Sequence, residues 1–344
     1  MAGRVFLRGL DGERYNLREH RHERLRATHV VKPGERTWRG EHAAGYEDAS
    51  PHSRAKWVLG PGDDPFLTQT VQSHFVEIDP GGSNGGHGHQ NEAAFYILRG
   101  SGYEIHDDRR YDWKAGDLVV VHNDSRHQHF NASDTESALA LVVKPKSTFM
   151  FLGLTQQGRG STFPEGADPD FGPRQDWSQL WSPGVERLAK VVHADDRPWE
   201  ETPSGEVKWL ARQGLDVRLF GIDVWLERPR PDRAAHWHMA DEVYYVIEGS
   251  GHTLEWQVEA EIAERYYARV AREARRHEWE AGDLLYVPQN TVHRHVPDAG
   301  GALLLGAQNR LFKLLGYDAT VHPDPGANAD PHAGDRADVA PASG

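Results

Sequence analysis

The sequence predicts an all-β chain built as two related barrels, and three observations predict it. The first is an internal repeat, the signal that fixes an architecture before any other. Residues 86–102 read GHGHQNEAAFYILRGSG and residues 236–251 read HWHMADEVYYVIEGSG; laid together, His87 matches His236, His89 matches His238, Gly100 matches Gly249 and Gly102 matches Gly251. Downstream, 116–131 reads GDLVVVHNDSRHQHFN and 282–295 reads GDLLYVPQNTVHRH, so that Gly116 matches Gly282, His127 matches His293 and His129 matches His295. The second observation is alternation. Runs such as LTQTVQSHFVEI before the first block and ALALVVK after it are short and rich in β formers. The third is punctuation, because Asp79-Pro80-Gly81-Gly82, Asp107-Asp108 and the bracketing glycines mark tight turns between those runs.

The spacing of the histidines carries the chemistry. Residues two apart on a strand face the same way, so His236 and His238 present two imidazoles side by side. Glu242 reaches the same centre after a short bend, and a turn around Pro288 and Asn290 returns His293 to it. The earlier copy offers His87, His89 and His127, but Ala93 stands where Glu242 does and the nearest carboxylate, Glu92, comes one residue early. Imidazoles with at most one carboxylate suit Fe(II), Mn(II), Ni(II), Cu(II) or Zn(II). The chain has no cysteine, so any metal site must use nitrogen and oxygen donors. His129 and His295 lie two residues beyond the last ligand and face the same interior. They are the candidate catalytic residues, placed to orient a substrate or shuttle a proton. Phe95, Ile97, Tyr244 and Val246 share the parity of Ala93 and Glu242 and are expected to line the two interiors. His122 replaces the turn residue Pro288; it is expected at the surface, with no role.

Both copies resemble the paired motifs of the cupin superfamily, G-x5-H-x-H-x3,4-E-x6-G followed by G-x5-P-x-G-x2-H-x3-N, and the chain as a whole resembles a bicupin. The resemblance implies two double-stranded β-helix (jelly-roll) barrels, each holding a divalent metal, and β-strand pairing into a homodimer. The later copy has the full ligand set His236, His238, Glu242 and His293, with Asn290 for the turn glycine and Pro297 for the last asparagine. The three-histidine set of the first copy is similar to ring-cleaving dioxygenases of the gentisate type. That implies an Fe(II)-dependent oxidoreductase opening the ring of a hydroxylated aromatic acid or related phenol with O2, as in the degradation of aromatic compounds. A decarboxylase of the oxalate type, an isomerase or lyase on the same barrel, or a non-catalytic ligand-binding bicupin are the alternatives.

Along the chain, residues 1–56 read as an irregular N-terminal extension, in which His20 and His22 lack a strand context. Residues 57–148 are expected to form the first barrel, 149–205 a Gly-, Pro- and Asp-rich linker with a short helix near 177–193, and 206–320 the second barrel. Two strand-like runs around Gly221 open that barrel. Gly249 and Gly282 are 33 positions apart, against 16 for Gly100 and Gly116, so the second copy carries an insertion. Ile262, Tyr266, Val270 and Ala274 recur every four residues there without Gly or Pro between them, which predicts an amphipathic helix. Residues 321–344 read as a disordered tail whose histidines need no function. At 38% hydrophobic residues, with 11 Trp, the composition is globular, and a formal charge of −13 argues against a nucleic-acid or anionic-membrane partner. No apolar leader or membrane-length run is present, so a cytoplasmic location is expected.

Overall fold

A computed structural model describes residues 29–40, 50–60, 70–154, 157–159, 175–176, 189–215, 217 and 219–323. His20, His22, positions 177–188 of the helix expected near 177–193 and the tail from 324 onward lie outside them; the described end of that stretch is a strand at Val191–Val192, not a helix. In chain order the strands are β1 Val30–Val31, β2 Arg39–Gly40, β3 Ser53–Leu59, β4 Gln72–Ile78, β5 His87–His89, β6 Ala93–Arg99, β7 Ser101–His106, β8 Arg109–Lys114, β9 Leu118–Val121, β10 Ser125–Asn131, β11 Ala138–Lys144 and β12 Gln157–Arg159. They continue as β13 Val191–Val192, β14 Glu200–Thr202, β15 Gly205–Ala211, β16 Ile222–Pro229, β17 Glu242–Ile262, β18 Tyr266–Val270, β19 Arg275–Glu280, β20 Leu284–Val287 and β21 Thr291–Asn309. Two short helices follow the closing strands, α1 Lys146–Phe151 and α2 Leu311–Leu314.

Each repeat is an antiparallel barrel. The first is made by a seven-stranded sheet, β13-β9-β6-β11-β4-β3-β2, facing a five-stranded one, β12-β5-β10-β7-β8. In the second, β17 and β21 run through both faces and join one nine-stranded sheet along the path β1-β20-β17-β21-β16-β15-β14, with β18 and β19 also paired to β17. Register shifts at Val246/Glu248 and Gly249/Gly251 let this long ladder bend. Gly102 and Gly251 mark the equivalent close approach in both barrels. A Cβ on Gly102 would lie 2.0 Å from the Phe130 carbonyl, and one on Gly251 would lie 2.3 Å from that of Val296.

Alternation along β6 explains how the halves meet. Ala93, Phe95 and Ile97 point into the first barrel, whereas Ala94 and Tyr96 point out. The outward residues of β6, β4 and β11 pack with Ile222, Val224, Val243 and Leu305 of the second half in one shared apolar core. Phe75 and Tyr245 meet there edge to face, with ring centroids 5.7 Å apart. Carboxylates cross the same boundary in both directions. Glu92 accepts the backbone N–H groups of Phe220 and Gly221, and Asp241 accepts the N–H and hydroxyl of Thr70.

The lead segments cross as well. Val30 and Val31, from the N-terminal extension, pair with Leu285 and Leu284 of the second barrel, while Val191 and Val192 pair with Val119 and Leu118 of the first. Behind them Lys32 binds Asp283, and His193 binds Asp117 at 3.0 Å. Each barrel is thus edged by a strand supplied from ahead of the other.

The insertion corrects the sequence reading, since it contains no helix. β17 continues to Ile262 and turns back as β18, pairing Val258 with Val270 and Ile262 with Tyr266, before β19 returns along the barrel. Trp256 and Val258 are buried against Ala235 and Val292, a period of two that fits a strand. Extending an existing ladder supplies hydrogen-bond partners that outweigh the local helix formers. Of the two strand-like runs expected around Gly221, the second forms β16, while the first includes residues 216 and 218, which lie outside the described residues. Among the described residues no helix is long and apolar enough to cross a membrane.

Candidate metal centres

The first centre forms where β5 and β10 pair. His127 sits opposite His87, and Ser125 opposite His89. The ligand atoms of His87, His89 and His127 lie within 4.8 Å of one another. Each ring is oriented through Nδ1, which donates to a carbonyl: Gly85 at 2.7 Å, Asn91 at 2.6 Å and Ser125 at 3.3 Å respectively. A carbonyl only accepts, so Nδ1 carries the proton and Nε2 keeps its lone pair for the centre. Left-handed backbone at Asp124 (φ 60°) and Asn290 (φ 57°) makes the turn that delivers His127 and His293 in their respective copies. This is the position at which the repeated motif asks for glycine.

In the second centre His236 bridges to His293, and His238 and Glu242 close the set. His238 Nδ1 donates to Ala240 at 2.9 Å, His293 Nδ1 to Thr291 at 3.1 Å, and His236 Nδ1 faces Ser204 Oγ at 3.3 Å. Glu242 presents Oε1 3.1 Å from His238 Nε2 and Oε2 3.3 Å from His293 Nε2. Tyr244 and Gln308 donate to the same carboxylate at 2.8 and 2.7 Å. Burial alone would raise the Glu242 carboxyl, but His238 and His293 hold it well below the usual carboxylate range. Burial lowers His236 well below the ordinary imidazole value and takes His89 down to about 3, so these rings are neutral donors at pH 7.

Both sets fit a divalent ion. His127 Nε2 is buried with no hydrogen-bond partner, and the Nε2 atoms of His238 and His293 meet only the Glu242 carboxylate. Each centre is a converging cluster of imidazoles, with a carboxylate in the second alone. Comparison with known proteins bears on the fold that carries these clusters. Residues 74–144 match the family model described as Cupin domain. A salicylate 1,2-dioxygenase from Pseudaminobacter salicylatoxidans superposes with a TM-score of 0.58 at 14% identity, covering 82% of this chain and 83% of that one. The chain has the bicupin fold. The oxalate decarboxylase of Lactobacillus farciminis, in its formate complex, shares this fold, with a TM-score of 0.57, 14% identity and coverage of 86% and 88%. In sequence, a gentisate 1,2-dioxygenase from Haloferax sp is 32% identical over 89 residues; the match spans 26% of this chain and 20% of that protein's length.

Within the bicupin frame His129 and His295 both face the interiors, as expected. The His129 ring lies 4.3 Å from that of Phe95, and its Nε2 is buried without a partner. Burial, then His87, lowers it to about 3. An apolar cavity opens beside it, lined by Val76, Ile78, Phe95, Ile97 and Trp113. His295 is tied through Nδ1 to Thr253 at 2.8 Å. Tyr244 and Val246 line the second interior as expected.

Glu92, one residue short of the ligand position in the sequence, binds across to the other half, as described above. Two placements differ from the sequence reading. His122 is fully buried rather than exposed, because Lys190, just ahead of the crossing strand β13, reaches its Nδ1 at 2.9 Å. His322, read as part of a functionless tail, lies with its ring 6.1 Å from His236, held there by the pairing of Val321 with Trp237.

Two groups escaped the sequence reading altogether. One is a buried cluster of His29, Glu255 and His277, in which His29 Nδ1 is 2.5 Å from Glu255 and His277 Nε2 is 3.4 Å away. The signal was available: VVKPGERTW at 30–38 repeats as VVHADDRPW at 191–199, which would have put His29 opposite Lys190. The other is Lys144 with His74 beside the first centre. Extending the repeat along β11 and β21 would have matched Lys144 to Gln308.

Proposed function

We propose that this chain is a metal-dependent oxidoreductase, an Fe(II) dioxygenase that opens the ring of a hydroxylated aromatic acid or related phenol at the first centre. The observation that carries the reading is Ala93. It leaves His87, His89 and His127 as a three-imidazole cluster with no carboxylate among its ligand atoms, and His129, two residues beyond His127, borders a small apolar cavity with Phe95, Ile97 and Trp113. Similarity to a gentisate and a salicylate 1,2-dioxygenase supports the same class.

His87, His89 and His127 would hold the ion, which when bound supplies Lewis acidity and electrons for O2. The protein's own work lies around it. Phe95, Ile97 and Trp113 bury the ring and exclude water. His129 is neutral at pH 7, and its Nε2 accepts the proton of the substrate hydroxyl. Phe95 against the imidazole keeps that nitrogen directed at the substrate. Both oxygen atoms of O2 enter the product as a ring C–C bond breaks.

The second centre, complete with Glu242, keeps a decarboxylase of the oxalate type as the alternative. Against it, Ala93 denies the first barrel the carboxylate that pairing two complete sites would need.

The test is reconstitution with Fe(II), followed by oxygen uptake against a panel of hydroxylated aromatic acids and phenols. Substrate-dependent O2 consumption with a ring-opened product is the expected result. Iron binding without uptake on any member, joined to CO2 release from oxalate, would replace this reading with the alternative.

A further inference from the structure

The two centres can be compared layer by layer, because the register of the closing strand is the same in both barrels. In the second, Gln308 on β21 stands between Glu242 on β17 and Asp223 on β16. In the first, Lys144 on β11 pairs with Gln72 on β4 and lies one step past the Val143–Ala94 pair, beside Ala93. This layer differs in three charges, all in one direction. Glu242 becomes Ala93, Asp223 becomes Gln72, and Gln308 becomes Lys144.

The partners show what those changes do. In the second barrel Gln308 Nε2 donates to Glu242, and Asp223 neutralises Arg310 and Lys313, the latter at 3.0 Å. In the first, Lys144 forms no ion pair among the described residues. It rests 4.9 Å from the Trp57 ring, which stacks on His74 at 4.4 Å. Buried His74 keeps an Nδ1 with no hydrogen-bond partner. Burial and then Lys146 lower the Lys144 ammonium to about 7, as expected for a cation without an anion. In this layer an ammonium donor has therefore replaced the amide, while the carboxylate acceptor has been removed. The acceptor must arrive with the ligand.

We infer that Lys144, beside Ala93 and His74, forms a carboxylate-binding subsite that makes the first barrel, not the second, the one that takes an acid. The ligand's carboxylate fills the space of the missing glutamate and receives a charge-assisted hydrogen bond from Lys144. The inference rests on the ring-cleaving reading only for the identity of the acid.

The test is calorimetric titration of the Zn(II)-loaded full chain with salicylate, oxalate and catechol, which avoids turnover. Lys144→Gln installs the residue of the second barrel, and Lys144→Arg restores the charge. In the Gln variant both carboxylates should bind about tenfold or more weakly, with catechol changed by less than about twofold; the Arg variant should retain carboxylate affinity. Carboxylate binding that is absent from the wild type, unchanged in Lys144→Gln, or weakened no more than catechol overturns the inference. Lys144-dependent oxalate binding without oxygen uptake on any aromatic acid would leave the subsite standing and sink the ring-cleaving reading.

Discussion

Lys32 Nζ lies 3.0 Å from Asp283 Oδ2, joining the lead segment of the first repeat to the glycine-aspartate turn of the second barrel. His193 makes the mirrored contact with Asp117. The neighbouring apolar residue should matter more than the ion pair. Lys32 is half exposed, so Lys32→Met should cost less than about 1 kcal/mol. Val31 is buried in the shared core, so Val31→Asp should cost about 3 kcal/mol by burying an unpaired charge. Urea midpoints measure both, and equal costs would mean that the strand is only loosely docked.

Metal content should follow the two clusters independently. Wild-type protein is expected to hold one ion per centre, with His127→Ala and His293→Ala each losing one of them in elemental analysis. Chelation should lower the melting temperature, because at ligand concentrations 100 times Kd binding adds about 2.7 kcal/mol to stability. Loss of both ions from either variant would indicate one coupled site.

His129 and His295 should separate the centres by activity. His129→Ala is expected to lower kcat by about 100-fold or more with metal content unchanged, since its unpartnered Nε2 is the proposed proton acceptor. His295 has an equally unpartnered Nε2 but stands in the second barrel, so under this reading His295→Ala should have the smaller effect. A larger loss from His295→Ala would move the chemistry to the second barrel.

Glu227 sets a pH dependence. Burial pushes its carboxyl from the ordinary 4.5 up to about 7, despite the Trp225 indole that donates to it at 3.2 Å. The folded state then holds a proton that the unfolded chain releases, so stability falls as pH climbs through this window and stays reduced above it. In metal-stripped protein, Glu227→Gln should raise the urea midpoint at pH 8 and change it little at pH 5, by a difference on the order of 1–3 kcal/mol. A gain of the same size at both pH values would point to packing instead of charge.

Much of this architecture was legible because the repeat is written in residues whose roles are local. His87, His89 and Gly102, like His236, His238 and Gly251, recur at the same short spacing in both copies, and that spacing exposes them although their partners lie further along the chain. The insertion was misread because Ile262, Tyr266 and Val270 satisfy a period of four as well as they satisfy strand pairing, and only the ladder of β17 decides between them. His122 and His29 were misplaced or missed because their partners, Lys190 and Glu255, are 68 and 226 residues away. Nothing local marks such a contact.

During synthesis Val30 and Val31 emerge early, yet the strand they complete, at Leu284 and Leu285, is among the last of the described residues to be made. The edge of the second barrel therefore closes by a contact of very long sequence separation, which is slow to form. Until then the growing chain carries two apolar β edges without neighbours, each a template for wrong pairing with another chain. A fragment of either half alone would keep that vulnerability permanently, whereas two complementary fragments expressed together could reassemble by exchanging their leading strands.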